Sequence, residues 1–326
     1  MDISRLCAWL AAASLTLPSL AQQQTSPSPA ASAPVALHPS GSFVTVHGVK
    51  LWYESEGSGR PLVLIAGGPG YAHDAFHPWF SAFAAKHRII YFDALGRGKS
   101  AHPRSAREYT ITRDVEDLEE LRQTLGLGQI DVLGHSYGGL VAQAYALQFP
   151  KSVHRLILAD TAFDTEALQA FDANLNSEVR NQYPEIWEKM EQLRSKGATT
   201  CSKEYEAVPD VPLPLMYFYN GENAKKLADS PFTMDVVCAL AGPNFDLTFS
   251  ADMGQIDYRQ KLKRLTMPTL VLAGRYDRVL FPRFSLQYKV FAPQAQFVMF
   301  EKSGHFPFVE EPEQFSQVVE AFLDRP

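Results

Sequence analysis

Three residues in the chain order serine, acid, histidine have the types and settings that nucleophilic catalysis requires. Gly134-His135-Ser136-Tyr137-Gly138, followed by Gly139, is a G-x-S-x-G pattern. It follows the apolar run Ile130-Asp131-Val132-Leu133 and precedes Leu140-Val141-Ala142-Gln143-Ala144-Tyr145-Ala146-Leu147. Strand, sharp turn and helix is the setting in which this pattern lifts a serine hydroxyl to a strand tip. The N-terminus of the following helix then favours the negative charge that develops there. The plainer reading of the same residues is a tight glycine turn. A serine hydroxyl is a poor nucleophile until a base takes its proton. The base in turn needs an acid that holds its tautomer and stabilises the imidazolium.

Both partners follow Ser136 in the expected order. Asp277 lies in Gly274-Arg275-Tyr276-Asp277-Arg278, after the run Pro268-Thr269-Leu270-Val271-Leu272-Ala273. His305 lies in Ser303-Gly304-His305-Phe306, after Gln296-Phe297-Val298-Met299-Phe300. Each therefore sits in a loop at the end of an expected strand, where a parallel sheet gathers its active-site groups. Of the nine histidines, His305 alone follows a late strand in a Ser-Gly turn, and His135 is too near in sequence to turn back onto Ser136. Asp160, which ends Leu156-Ile157-Leu158-Ala159, is the rival acid. Asp277 is preferred, with Asp160 holding a loop. Asp93 also ends a strand, on the wrong side of the nucleophile, and reads as structural.

A tetrahedral intermediate needs backbone donors for its oxyanion. One is expected to be the amide of Tyr137. The other comes from the loop Ala66-Gly67-Gly68-Pro69-Gly70, whose glycines let the backbone approach a substrate. Pro69 has no amide hydrogen, so Gly68 is the expected donor, with Gly67 beside the substrate.

The elements that must position these groups are legible as alternating runs. Phe43-Val44-Thr45-Val46 turns through His47-Gly48 into Lys50-Leu51-Trp52-Tyr53, an expected hairpin. Apolar runs near 62, 88, 130, 155, 269 and 296 follow, most of them separated by helical stretches such as Asp114 to Leu121. This alternation implies an α/β fold with a mostly parallel, doubly wound sheet. Between Asp160 and Pro268 the rhythm breaks into amphipathic, aromatic-rich helical pieces, including Tyr183, Trp187, Tyr205 and Tyr217. A helical cap over the strand tips (161–267), inserted into a core of 41–160 and 268–326, is the simplest organisation.

The N-terminal 21 residues carry Arg5, an apolar stretch from Cys7 to Leu17 and the small-residue end Ser19-Leu20-Ala21. The stretch is too short to span a bilayer and suits a signal peptide cleaved before Gln22, which implies an exported, periplasmic or secreted protein. Residues 22–40, rich in Gln, Ser, Pro and Ala, read as a flexible tether. Cleavage would leave Cys201 and Cys238, both in the cap. An oxidising compartment joins such a pair as a disulfide; the other reading is two unpaired thiols. No H-E-x-x-H, Cys-x-x-Cys, phosphate loop or dinucleotide fingerprint is present, so no metal or cofactor is expected. A net charge of −6 without a basic cluster argues against nucleic acid or an anionic membrane surface as partner. Nothing in the sequence sets an oligomeric state.

The set AGGPG at 66–70, FDALGRGKS at 92–100, GHSYGG at 134–139, GRYD at 274–277 and GH at 304–305 resembles the α/β-hydrolase superfamily. More narrowly, it resembles the proline iminopeptidase group, which includes the tricorn-interacting aminopeptidases. The resemblance runs from about residue 40 to the end and includes Ala241-Gly242-Pro243-Asn244-Phe245-Asp246, similar to a G-P-x-E-F element of that group's cap. It implies a serine hydrolase that removes an N-terminal residue, often proline, from short peptides without a metal. The chain departs from the group's pattern at three places. Ala66 replaces a histidine, Ala94-Leu95 replaces Gln-Arg, and Phe245 stands where a glutamate is expected to bind the substrate's amino terminus. Asp246 is the nearest carboxylate that could take that role. The resulting expectation is an exported, metal-free serine hydrolase acting through an acyl-enzyme on a short peptide. Hydrolysis of a small ester, lactone or amide by the same residues is the alternative, and a non-catalytic ligand-binding relative is a remote third.

Overall fold

The computed structural model describes residues 39–325. The expected signal peptide, and the tether up to residue 38, lie outside the described residues. Eight strands form one sheet: β1 (Gly41–Val46), β2 (Val49–Glu56), β3 (Arg60–Ile65), β4 (His87–Phe92), β5 (Ile130–His135), β6 (Val153–Ala159), β7 (Thr269–Gly274) and β8 (Gln296–Phe300). Their order is β1-β2-β4-β3-β5-β6-β7-β8. The hairpin β1–β2 closes with Val46 opposite Val49, its turn residues His47 and Gly48 both at positive φ. β2 meets β4 antiparallel, and every pairing from β4 onward is parallel.

The central strands are buried along their length, which is why they read as continuous apolar runs rather than alternating ones. One face is covered by α1 (Ile111–Thr124) and α2 (Tyr137–Gln148). Thr110 caps α1 by accepting the Arg113 amide at 2.9 Å. Ile111, Val115, Leu118 and Leu121 form the helix's buried stripe. The terminal helix, Pro312–Leu323, covers the other face with Phe315, Val319, Phe322 and Leu323, packed with Phe80, Phe300 and Phe308. Each such side chain contributes about 1.5–3 kcal/mol when fully buried.

Between β6 and β7 the described residues contain no strand. α3 (Thr165–Gln182), α4 (Pro184–Ser195), α5 (Pro214–Tyr217) and α6 (Met234–Ala241) fill that interval with short 3-10 turns. Asp164 caps α3, and Pro184 at the first position of α4 separates the two helices. Val179, Met190, Leu213 and Met216 give this segment a small core of its own, whereas Val236 and Leu240 of α6 join the main core. Cys201 and Cys238 are joined by a disulfide that ties the 201 loop to α6. Among the described residues no helix is long and apolar enough to cross a membrane.

Parallel pairing from β3 to β8 puts the C-terminal ends of five strands along one edge. The loop after β3, Ser136, Asp160, Asp277 and His305 all leave the sheet there.

Candidate active site

Ser136 joins β5 to α2 with φ 54° and ψ −121°, a region that costs a residue with a side chain about 1–3 kcal/mol. The turn is held by its backbone. The Ser136 amide donates to Ala159 O at 3.0 Å, and its carbonyl accepts from Gly139 N at 2.9 Å and Thr161 Oγ1 at 2.6 Å. The small residues are required by contact: a Cβ on Gly138 would lie 2.1 Å from Ile65 O. Ser136 is the one partly exposed residue in a stretch otherwise buried from Ile130 to Ala142. The fold therefore presents this side chain and no neighbour.

His305 and Asp277 are brought together, with His305 Nδ1–H donating to Asp277 Oδ2 at 2.8 Å in a buried pair. The other carboxylate oxygen, Oδ1, accepts the amides of Val279 and Leu280 at 2.8 and 2.9 Å. Three donors thus fix the carboxylate, which in turn fixes the imidazole and its tautomer. The His305 backbone is also pinned: its amide donates to Tyr217 O at 2.6 Å, and its carbonyl accepts from His135 Nε2 at 2.7 Å. Burial, then the neighbouring His305, push the His135 imidazole well below its ordinary pKa. His135 is therefore a neutral donor to that carbonyl. Glu310 secures the preceding residue, accepting from Gly304 N and from the Tyr219 and Asn220 amides.

The oxyanion candidates lie on either side of the serine turn. Tyr137 opens α2, so its amide has no acceptor within the helix. Gly67 packs against the turn, since a Cβ there would lie 3.0 Å from Ser136 Cβ. Gly68 adopts φ +51° and accepts the Tyr71 amide at 3.0 Å. Both site loops are stitched to the 161–267 segment. Thr233 N donates to Gly70 O, Ala72 N donates to Pro231 O, and Tyr217 holds His305.

Sequence reasoning passed over the brace behind this loop. Arg97 is fully buried and donates to Pro69 O at 2.7 Å and Leu95 O at 2.9 Å, and it pairs bidentately with Asp114 at 2.7 and 2.8 Å. Tyr137 OH closes the network on Asp114 Oδ2 at 2.6 Å. One ion pair thereby ties both oxyanion candidates to α1. The only signal was a lone arginine inside FDALGRGKS, whose partner cannot be read from the sequence.

Asp93 is structural, as expected. Its carboxylate accepts from His73 N, His73 Nδ1 and Lys99 N at 3.1, 2.7 and 2.8 Å. The other imidazole nitrogen of His73 faces Glu54 at 3.3 Å, and His77 faces the same carboxylate at 3.4 Å. Against the cost of burial, hydrogen bonds to the two carboxylates push His73 up to about 9. Glu54, although buried, is held well below the usual carboxylate range by hydrogen bonds to His73 and His77. Glu54, His73 and His77 have ligand-type atoms within 4.8 Å of one another, and an imidazolium between two carboxylates accounts for their proximity.

The two residues of the 161–267 segment expected near a substrate, Asp246 and Phe245, are engaged elsewhere. Asp246 is 7% exposed and already partnered. Arg194 and Tyr205 donate to one of its oxygens at 2.5 and 2.8 Å, and Thr200 Oγ1 donates to the other. Phe245 packs into the main core. A cavity of about 340 Å³ lies between the segment's Leu215 and Phe218 and the loop from Arg275 to Pro282, and Asp277 lines it. A larger groove of about 490 Å³ runs over α1, between His47, Glu119 and Phe149. None of Ser136, Asp277 and His305 lines that groove, so its size has no bearing on the chemistry.

A sheet of this order, with a serine turn and an acid–imidazole pair on its C-terminal edge, defines the α/β-hydrolase class. The chain belongs to it: residues 60–312 match the family described as alpha/beta hydrolase fold. Within that class the sequence is proline iminopeptidase-like. It is 29% identical over 277 residues to a proline iminopeptidase of Heyndrickxia coagulans, covering 83% of this chain and 93% of the relative. It is 30% identical over 284 residues to a proline iminopeptidase of Lactobacillus delbrueckii subsp. lactis, covering 81% and 90%. The solved proline iminopeptidase of Mycobacterium smegmatis superposes with a TM-score of 0.62 at 20% identity, over 87% of this chain and 97% of that one, a likeness of fold.

Proposed function

We propose that the protein is a serine hydrolase acting through an acyl-enzyme, and that its substrates are short peptides with a free N-terminal residue. The observation that carries the reading is the fixed His305–Asp277 pair on the same sheet edge as the strained Ser136 turn. In this mechanism Ser136 Oγ attacks the scissile carbonyl carbon while His305 Nε2 takes its proton. The amides of Gly68 and Tyr137 receive the oxyanion. Collapse of the intermediate breaks the bond to the leaving amine, which takes the proton from His305. Water then repeats the sequence on the ester, releasing the acid and restoring Ser136. Every step is carried by side chains and amides of this chain, with no metal.

The 161–267 segment serves as the cap in this reading. Its hydrogen bonds to Gly70, Ala72 and His305 support that role, in which a cap excludes water and shapes the pocket. Export through the N-terminal 21 residues completes the proposal, and the Cys201–Cys238 bond suits an oxidising compartment.

Asp246 favours a second reading. A carboxylate already neutralised by Arg194 is a poor receptor for a substrate ammonium, so the same residues could act on a small ester, lactone or amide. The two readings separate on three matched chromogenic substrates: free prolyl anilide, N-acetylprolyl anilide and a short-chain acyl ester, with Ser136→Ala as control. Preference for the free amine supports the aminopeptidase. Ester turnover without that preference overturns it and leaves the serine mechanism standing. Equal inertness of wild type and Ser136→Ala means that these three substrates miss the chemistry, and it raises the ligand-binding reading.

A further inference from the structure

A second carboxyl group stands beside the His305–Asp277 pair. Asp160 follows the last residue of β6 with φ 44° and is completely buried. Its position follows from register. β6 and β7 are parallel neighbours with Ala159 opposite Leu272, so the chain leaving one strand passes the end of the other. The Asp160 amide donates to Leu272 O at 2.9 Å, and Gly274 N donates to Asp160 Oδ1 at 2.7 Å. The remaining oxygen, Oδ2, has no hydrogen-bond partner. Ligand-type atoms of Asp160, Asp277 and His305 all lie within 4.8 Å of one another.

Two carboxyls this close in a dry site do not both ionise, because each charge raises the cost of the other. Asp277 has three donors and Asp160 one, so the charge resides on Asp277. Burial, then the Asp277 charge, push the Asp160 carboxyl well above its ordinary range, with Glu310 adding in the same direction. The groups that set its state are therefore Asp277, His305 and Glu310, and the strongest of the opposing charges is Asp277.

We propose that Asp160 is a reserve acid for the His305 imidazole: a neutral carboxyl that positions the Asp277 loop through Gly274, and that takes over the imidazole when Asp277 is lost. The inference rests on the serine-hydrolase reading. Removing the Asp277 side chain deletes the neighbouring charge and opens space beside His305 Nδ1. It leaves a buried N–H without an acceptor, which is costly. Closing from 4.8 Å to an ordinary hydrogen bond takes at most about 2 Å of side-chain movement, or one bridging water.

The test reads serine activation directly and needs no natural substrate. An alkyl fluorophosphonate reacts as the Ser136 Oγ–P bond forms, the P–F bond breaks, fluoride leaves and the hydroxyl proton passes to His305. Second-order labelling rates are measured from pH 5 to 9 for wild type, Asp160→Asn, Asp277→Ala, the double variant and Ser136→Ala, with melts to show folding. Loss of a sole triad acid costs on the order of 10⁴-fold. A reserve acid limits Asp277→Ala to about 10²-fold, and adding Asp160→Asn removes most of the remainder. On the wild-type background Asp160→Asn costs only a few-fold, because the amide oxygen still accepts from Gly274. Asp277→Ala also gains an acid limb, absent from the double variant, as Asp160 ionises.

Equal factors for Asp160→Asn on both backgrounds reduce Asp160 to a structural residue and overturn the proposal. So does an Asp277→Ala rate no higher than that of the double variant. If Asp277→Ala does not fold, the same cycle is run with Asp277→Asn and Asp277→Ser. Labelling unaffected by Ser136→Ala overturns the serine-hydrolase reading itself, and this inference with it.

Discussion

Gly274→Ala is expected to separate the acid from the imidazole without touching either. A Cβ at residue 274 would lie 1.8 Å from Gly304 O, with Gly304 C and Ser303 O both at 2.7 Å. Real Cβ contacts essentially never fall below 3.0 Å, so the two loops must part by 3.0 − 1.8 = 1.2 Å at least. Neither side yields easily. Gly274 N is held by Asp160 and Gly304 N by Glu310, while Arg275 N and Tyr276 N bond to Phe300 O and Ser303 O. The shift falls on the 2.8 Å bond between His305 and Asp277, which weakens steeply beyond 3.2 Å. Misplacement of about 1 Å costs a catalytic group about 10²-fold, equivalent to about 2.7 kcal/mol of transition-state stabilisation. Overpacking adds about 1–3 kcal/mol of lost stability. The assay is the fluorophosphonate labelling rate beside a denaturant melt, with Gly197→Ala as control. Gly197, unlike Gly274, takes a positive φ, but it has nothing within 4 Å of its added methyl, so that variant loses some stability and keeps its rate. A Gly274→Ala protein with wild-type rate and wild-type melt would refute the claim that these loops are rigidly packed.

Three further outcomes follow from buried charge and covalent closure. His73 titrates near 9 in the folded protein against 6.5 when exposed, facing Asp93, Glu54, Asp74 and His77, with Lys99 at the edge. A raised histidine stabilises fully below pH 6.5 and loses that contribution as pH climbs through 9. His73→Gln should therefore flatten the fall in stability between pH 7 and 10, removing about 3 kcal/mol of dependence; an unchanged slope in denaturant titrations removes the imidazolium. Burial, then Asp246, push the Asp172 carboxyl up to about 9, and its Oδ2 has no hydrogen-bond partner. The unfolded chain releases that proton near pH 3.8, so between pH 3.8 and 9 the group increasingly disfavours folding. Asp172→Asn is expected to raise stability at pH 7.5 by about 1–3 kcal/mol and to lose that gain near pH 4; a loss at pH 7.5 contradicts the assignment. Cys201 and Cys238 close a loop of sequence separation 37, for which chain entropy gives about 4 kcal/mol. The double serine variant should unfold earlier in urea by about that amount, and no shift would mean that the bond restrains nothing.

Much of the frame is legible in the order of residues. The strands lie on the apolar runs at 62, 88, 130, 155, 269 and 296; the central ones are buried on both faces and need no alternation, whereas the edge strand at 296 is half-buried. The hairpin at His47-Gly48 follows from a turn whose two residues take positive φ. Ser136 is readable because a strained turn demands small neighbours within a five-residue window. The network around Arg97 is different. Its members, at 69, 95, 97, 114 and 137, are separated by intervals that carry no period. Asp246 shows the opposite limit: a carboxylate placed by motif as a ligand-binding group is engaged by Arg194, Thr200 and Tyr205, none of which the motif contains.

By itself the sequence determined which side chains stand at strand ends, and in what order: Ser136, Asp160, Asp277 and His305. Local periodicity and turn chemistry suffice for that, since both act over a few residues. The sequence favoured Asp277 over Asp160 as the partner of the imidazole, but only the tertiary structure shows what holds each carboxylate. Asp277 receives His305 and the amides of Val279 and Leu280, while Asp160 receives only Gly274. Charge in a dry site settles on the carboxylate with more donors, and donors are counted in space.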